Sequence, residues 1–152
     1  MHALTTFMST HHRYCDELFA QAEQAANSRD WPQCAALSTQ YVNAMETHFN
    51  AEETVLFPAF EQATGNTMGP TRIMRMEHEQ MRELFEQMRS AAEAADQTTF
   101  LGVTETLLVL MEQHNMKEEN ILYPMCDQHL NSPELPRQLE SLLGHPAGTL
   151  SG

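Results

Sequence analysis

The sequence predicts an all-α fold, an up-down-up-down four-helix bundle built from two repeated helical hairpins with a short C-terminal helix added. Three observations carry this. Ala, Glu, Gln, Met and Leu dominate, apolar positions recur at helical spacing, and no useful length alternates with period two. Polar breaks divide the chain into four long periodic segments joined by short connections. One residue pattern also occurs twice, 66 positions apart, and a duplication of that kind is a statement about architecture.

Taken in order, the first helix is expected from about Ser9 to Asn27, ending at "NSRDWP", where Asp30 can cap its successor. The second runs from about Trp31 to Ala63 and stops at the turn "TGNTMGP". A third spans about Thr71 to Ala95. The break "ADQTT" then offers Thr98 or Thr99 as cap of a fourth helix reaching about Leu130. The tail "SPELPRQLESLLG" makes one short helix with Leu135, Leu139 and Leu142 on its apolar side. Pro58 and Pro124 lie inside the second and fourth helices, where a missing N–H predicts bends; the alternative is that each helix restarts at its proline.

The 152 residues read as a single domain, 1–152, with repeat 1 at about 9–64, repeat 2 at about 71–130 and a tail at 131–152. A domain of this size buries roughly 68–70% of the surface of its unfolded chain and needs no disulfide. Cys15, Cys34 and Cys126 are odd in number and contain no C-x-x-C, so reduced thiols and a cytoplasmic location are expected. No signal peptide is visible, and the apolar run "LLVLM" is far too short to span a membrane. A net charge of −13 opposes nucleic acid and anionic membrane as partners.

The repeat carries the chemistry. "METHFNAEETVLFP" (45–58) aligns with "MEQHNMKEENILYP" (111–124), and "HRYCDELF" (12–19) with "HEQMRELF" (78–85). Each half is a histidine, 35 residues, then His-x3-Glu. His12 and His48 are equidistant from residue 30 in the first turn, and His78 and His114 from residue 96 in the third. Eighteen residues of helix place all four histidines ~27 Å from those turns. Periodicity turns them inward: His12 with Met8, Cys15 and Phe19; His48 and Glu52 with Tyr41, Met45, Val55, Leu56 and Ala59. His78 follows Met74, Met81, Phe85 and Met88, while His114 and Glu118 follow Met111, Ile121, Leu122 and Met125.

Two carboxylates buried together would force one to take a proton unless a cation compensates them. His12, His48, Glu52, His78, His114 and Glu118 are therefore the predicted metal ligands. Six ligands crowd one ion but suit two. With Glu52 and Glu118 bridging, each ion receives two histidines and two carboxylate oxygens. An oxide or hydroxide bridge then leaves one open position per octahedral ion. Imidazole with carboxylate suits iron, and also manganese or zinc.

This pattern, with "EETVLFP", "EENILYP" and "EHEQMRELF", resembles the hemerythrin-like HHE cation-binding family over about residues 9–130. The resemblance implies a non-haem di-iron centre that binds dioxygen, nitric oxide or peroxide. Relatives with four histidines and two glutamates are associated with iron–sulfur centre repair or iron delivery. Two departures set expectations. Oxygen carriers use five histidines, with His-x3-His on the third helix, whereas Met74 and Arg82 flank His78 here. Repair-type relatives often carry a further N-terminal domain with cysteines, and this sequence opens at the first helix. Ferritin-like Glu-x-x-His is absent.

Around the ligands, Cys15 and Tyr41 read as core residues or lining, Arg82 as the partner of a nearby acid or a guard of the entrance. Glu53 and Glu119 either orient a histidine on a neighbouring helix or are solvated. His2, His11, His129 and His145 have no counterpart in the repeat and are expected to face solvent, with His11 the alternative to His12 as ligand. No side chain in the layer reads as an acid–base catalyst beyond the ligands, so no reaction is assigned. Three functions follow: oxidant binding or sensing at a di-iron centre, iron storage or delivery including iron–sulfur repair, and a metal-free interaction module. In the last, the C-terminal leucine stripe docks a partner or a second copy of the chain.

Overall fold

The computed structural model describes residues 3–143. Four helical rods pack antiparallel, each touching the next and the fourth closing on the first. Rod one is α1 (Ala3–Asn27) and rod three is α4 (Pro70–Glu93). Rod two joins α2 (Trp31–Ala51), a π-helical turn (Glu52–Leu56) and α3 (Phe57–Thr64); rod four joins α5 (Gln97–Lys117), a π-helical turn (Glu118–Leu122) and α6 (Tyr123–His129). α7 (Glu134–Leu143) follows, and no strand occurs among the described residues.

The hairpin turns repeat as faithfully as the sequence. Asp30 accepts a hydrogen bond from the Gln33 amide, and Asp96, 66 residues on, accepts from the Thr99 amide and hydroxyl. Asp96, not Thr98 or Thr99, is thus the cap: its carboxylate reaches the third amide while Thr99 already lies within the helix. The preceding residues, Arg29 and Ala95, have φ of 59° and 54°, and the next amides bond back to Ala25 and Ala91. That left-handed step closes a helix end at a steric cost to any side chain.

The prolines do not bend continuous α-helices. Each helix restarts at its proline, one turn after a change of register. The Phe57 amide bonds Glu52 C=O, and the Tyr123 amide bonds Glu118 C=O, five residues back. Pro58 and Pro124 follow as second residues of α3 and α6. A wider turn removes the clash of the proline ring with the carbonyl four residues earlier, and it adds one residue to the helical period. Beyond it the inward face moves. Leu56, Phe57 and Phe60 are buried and Val55 and Ala59 only half-buried; Leu122, Tyr123 and Cys126 are buried, while Ile121 is 55% exposed and Met125 half-buried. The predicted stripe fails at Ile121 because a 3.6-residue period does not hold across this turn.

α1 begins six residues before the predicted Ser9, because the Asp127 carboxylate accepts from the Leu4 and Thr5 amides and the Thr5 hydroxyl. α7 folds back onto the bundle beside rods one and two. Leu135, Leu139 and Leu143 are buried there, and Leu142, predicted for that stripe, is 39% exposed. The leucine stripe offered to a partner is consumed within the chain. His2 and His145, expected in solvent, and the last nine residues of the expected tail lie outside the described residues.

Two apolar layers result. One, toward the first and third turns, contains Cys15, Tyr41, Met45, Phe49, Met81, Phe85 and Met111. The other contains Met8, Leu56, Phe57, Phe60, Met74, Leu122 and Leu139. Each fully buried large apolar side chain contributes ~1.5–3 kcal/mol. The layers lie on either side of a polar one, which they must outweigh.

Candidate metal centre

His12, His48, Glu52, His78, His114 and Glu118 meet in that polar layer, each at most 2% exposed. His12, His48, Glu52 and Glu118 each offer one atom within 4.8 Å of the others, and so do Glu52, His78, His114 and Glu118. The two groups share both carboxylates.

The duplication appears in the distances. His12 Nε2 is 3.1 Å from Glu118, and its counterpart His78 Nε2 is 3.1 Å from Glu52. His48 Nε2 is 3.4 Å from Glu52, and His114 Nε2 is 3.4 Å from Glu118. All four rings turn Nε2 inward and Nδ1 outward. His12 donates Nδ1–H to Glu119 at 2.7 Å, His78 to Glu53 at 2.7 Å and His114 to Glu77 at 2.8 Å. A carboxylate on Nδ1 selects the tautomer with its lone pair on Nε2, which is how metal-binding histidines are oriented. Glu53 and Glu119 thus orient histidines of the opposite repeat.

His48 is the exception. Its Nδ1 lies 2.8 Å from Nδ1 of His11, which is 1% exposed and stacks on it. His11 was expected in solvent; it occupies instead the place that Glu77 takes in the other half, since positions 11 and 77 are also 66 apart. Extending the repeat one residue before His12 and His78 pairs them. Cys15 Sγ approaches His11 Nδ1 at 3.8 Å. Tyr41 packs on Phe19 and Phe85 and is core. Arg82 holds Glu53 through two 3.0 Å contacts and Glu46 at 2.9 Å, fixing the carboxylate behind His78.

Tyr123 was missed altogether. The π turn rotates it into the centre, where its hydroxyl lies 2.5 Å from Glu52 Oε2, 2.8 Å from Glu118 Oε1 and 3.2 Å from Nε2 of both His12 and His48. The "LFP"/"LYP" mismatch of the repeats was the available signal. Phe57 takes the matching place beside His78, with ring centroids 5.7 Å apart, and Phe49 stacks on His78 at 3.8 Å.

Electrostatics follow from this crowding. Burial opposes protonation of His12, yet hydrogen bonds to Glu118 and Glu119 outweigh it and lift its pKa to about 9. Burial likewise opposes His114, but the charge of nearby Glu118 and the hydrogen bond to Glu77 carry it to about 10. His11 goes the other way, down to about 3, through burial and then the neighbouring His48 and His12. Burial would raise Glu52, but the adjoining His48 and His78 hold it well below the usual carboxylate range.

Four atoms of this polar layer remain unsatisfied. Glu52 Oε1, His78 Nε2, His114 Nε2 and Glu118 Oε2 are buried without a hydrogen-bond partner. They form His–Glu pairs 3.1 and 3.4 Å apart without hydrogen-bond geometry, around the space that the four residues enclose. Orphaned buried polar atoms are rare because each forfeits its solvation. A cation in that space would satisfy all four at once, so the residues present fit a metal. A family model for the hemerythrin HHE cation-binding domain matches residues 3–126.

The chain belongs to the hemerythrin HHE cation-binding family.

Among the relatives that this hemerythrin HHE protein resembles is the iron-sulfur cluster repair protein YtfE of Escherichia coli O81 (strain ED1a). It is 29% identical over 138 residues, covering 81% of this chain and 62% of that one. YtfE of Escherichia coli O1:K1 / APEC and of Escherichia fergusonii are 28% identical with the same coverage. The chain spans 62% of the length of these curated relatives. No solved structure matches. No helix among the described residues is long and apolar enough to cross a membrane.

Proposed function

We propose that His12, His48, His78 and His114, with Glu52 and Glu118 shared between two positions, hold a pair of iron ions that bind, sense or process dioxygen, nitric oxide or peroxide. The observation that carries the reading is the orphaned set at His78, His114, Glu52 and Glu118, four buried donor atoms with no hydrogen-bond partner, which a cation would satisfy together. When bound, iron would supply Lewis acidity and electrons. The protein's part is positional. Glu119, Glu53, Glu77 and His11 hold the four imidazole planes. Phe49 and Phe57 exclude water on the His78 side. Three unpaired thiols suit a reducing, cytoplasmic setting. A groove between α1 and α5 lined by Asp16, Glu23, Glu112 and Glu119 surrounds the carboxylate behind His12, and its charge favours approach by cations.

The test is anaerobic loading with Fe²⁺, metal counting, and exposure to air while following near-ultraviolet charge-transfer absorption. Two irons per chain and a new band on oxidation support the reading. No retained metal refutes it. A second reading, iron delivery or iron–sulfur repair, is favoured by the likeness to the iron-sulfur cluster repair protein YtfE. Rapid surrender of both irons to a chelator, with no spectral response to air, would select it.

A further inference from the structure

We infer that Tyr123 makes the two metal positions unequal: its phenol oxygen is a fifth protein donor at the His12/His48 position, which leaves the His78/His114 position, under Phe49 and Phe57, to take the external oxidant. This rests on the two-ion reading above and deepens it.

The geometry is that of a coordination vertex. Metal–ligand bonds of roughly 2.1 Å place neighbouring donors of an octahedron roughly 3 Å apart. The Tyr123 oxygen lies 2.5, 2.8, 3.2 and 3.2 Å from Glu52 Oε2, Glu118 Oε1, His12 Nε2 and His48 Nε2, four of the proposed ligand atoms. A phenol has one proton to donate. When His12 and His48 are neutral with their protons on Nδ1, as metal ligation requires, all four of these atoms present lone pairs, and a single O–H cannot satisfy them. Tyr123 is fully buried and has no solvent to turn toward. Coordination resolves the conflict, exchanging the O–H bond for an O–metal bond, with the proton released to solvent.

The opposite half shows the contrast within the same chain. Phe57 occupies the position of Tyr123 in the first repeat and brings no donor atom. All four orphaned atoms belong to that half, whereas the hydroxyl contacts their counterparts around Tyr123. With a shared bridge, the tyrosine position is complete at six donors and the phenylalanine position is one short. Its wall of Phe49 and Phe57 suits a small uncharged diatomic molecule.

The experiment uses the full chain loaded with iron and oxidised, with azide as the exogenous probe. A visible phenolate-to-iron band with tyrosine ring modes in resonance Raman is expected. Both should vanish in Tyr123→Phe while two irons remain bound. Phe57→Tyr should weaken azide binding at least tenfold, and Tyr123→Phe should not. Two bound irons without phenolate modes would overturn the inference and leave the two-ion centre standing. So would azide binding that is indifferent to Phe57→Tyr. A protein that holds no iron would instead overturn the underlying reading.

Discussion

His11 and His48 share a 2.8 Å contact between their Nδ1 atoms, in the place where the other hairpin pairs Glu77 with His114. For His48 to present its Nε2 lone pair inward, its Nδ1 must carry the proton and His11 must accept it. His11 is then neutral, with its own proton on Nε2, in keeping with a pKa pushed down to about 3 by burial and the adjacent His48 and His12. A neutral acceptor polarises the ring less than a carboxylate does. His48 is therefore the one histidine of the four held by a neutral partner, where His12, His78 and His114 are held by carboxylates.

Replacing His11 by Ala should weaken metal binding at that position ~10–100-fold, the usual cost of losing an orienting partner. The other position should be little changed. His11→Gln, whose amide oxygen can still accept from His48, should recover most of the loss. Competition with a chromophoric chelator, resolved into two steps, measures both.

In the proposed centre the carboxylates make metal uptake a proton exchange. His12 and His114, lifted to about 9 and about 10, are charged at neutral pH without metal and must shed a proton to ligate. For the metal-free protein the sign is that of raised values. Their stabilising ion pairs are complete below the unfolded value of about 6.5 and fade as pH rises through about 9 to 10. Metal affinity runs the opposite way and climbs over that interval. The melting temperature gained on metal addition should thus widen with pH, and calorimetry in buffers of different ionisation enthalpy should register released protons.

Each predicted ligand can be removed singly. His114→Ala takes one nitrogen from the His78/His114 position and should lose at least one ion by elemental analysis. An unchanged metal count would reject its assignment.

At the third turn, Ala95 bears a side chain at φ 54°. A left-handed residue with a Cβ costs ~1–2 kcal/mol, of which glycine returns part through unfolded-state entropy. Ala95→Gly should therefore stabilise the protein by ~0.5–1 kcal/mol in urea denaturation, with no change in metal content.

At the far end, Asp127→Ala removes three hydrogen bonds from the first turn of α1. A loss of ~1–2 kcal/mol is expected, as for other helix caps. Faster hydrogen exchange confined to the α1 N-terminus would show that the cap is local.

The amino-acid sequence by itself determined the four rods, their order and the six residues of the polar layer. Those depend on helical period, on Asp and Gly signals at the turns and on a 66-residue repeat, all of them local or countable along the chain. Tertiary structure alone decided what surrounds them. The π turns advance the helix by an extra residue, so Tyr123 and Cys126 face the centre where Ile121 and Met125 were expected. A wider turn forms because a buried carboxylate and a following proline must share one rod, and no fixed period anticipates that. His11 behind His48, Asp127 at the start of α1 and the leucines of α7 against the bundle are likewise meetings between distant segments. Their energies come from packing and burial that exist only once the rods have assembled.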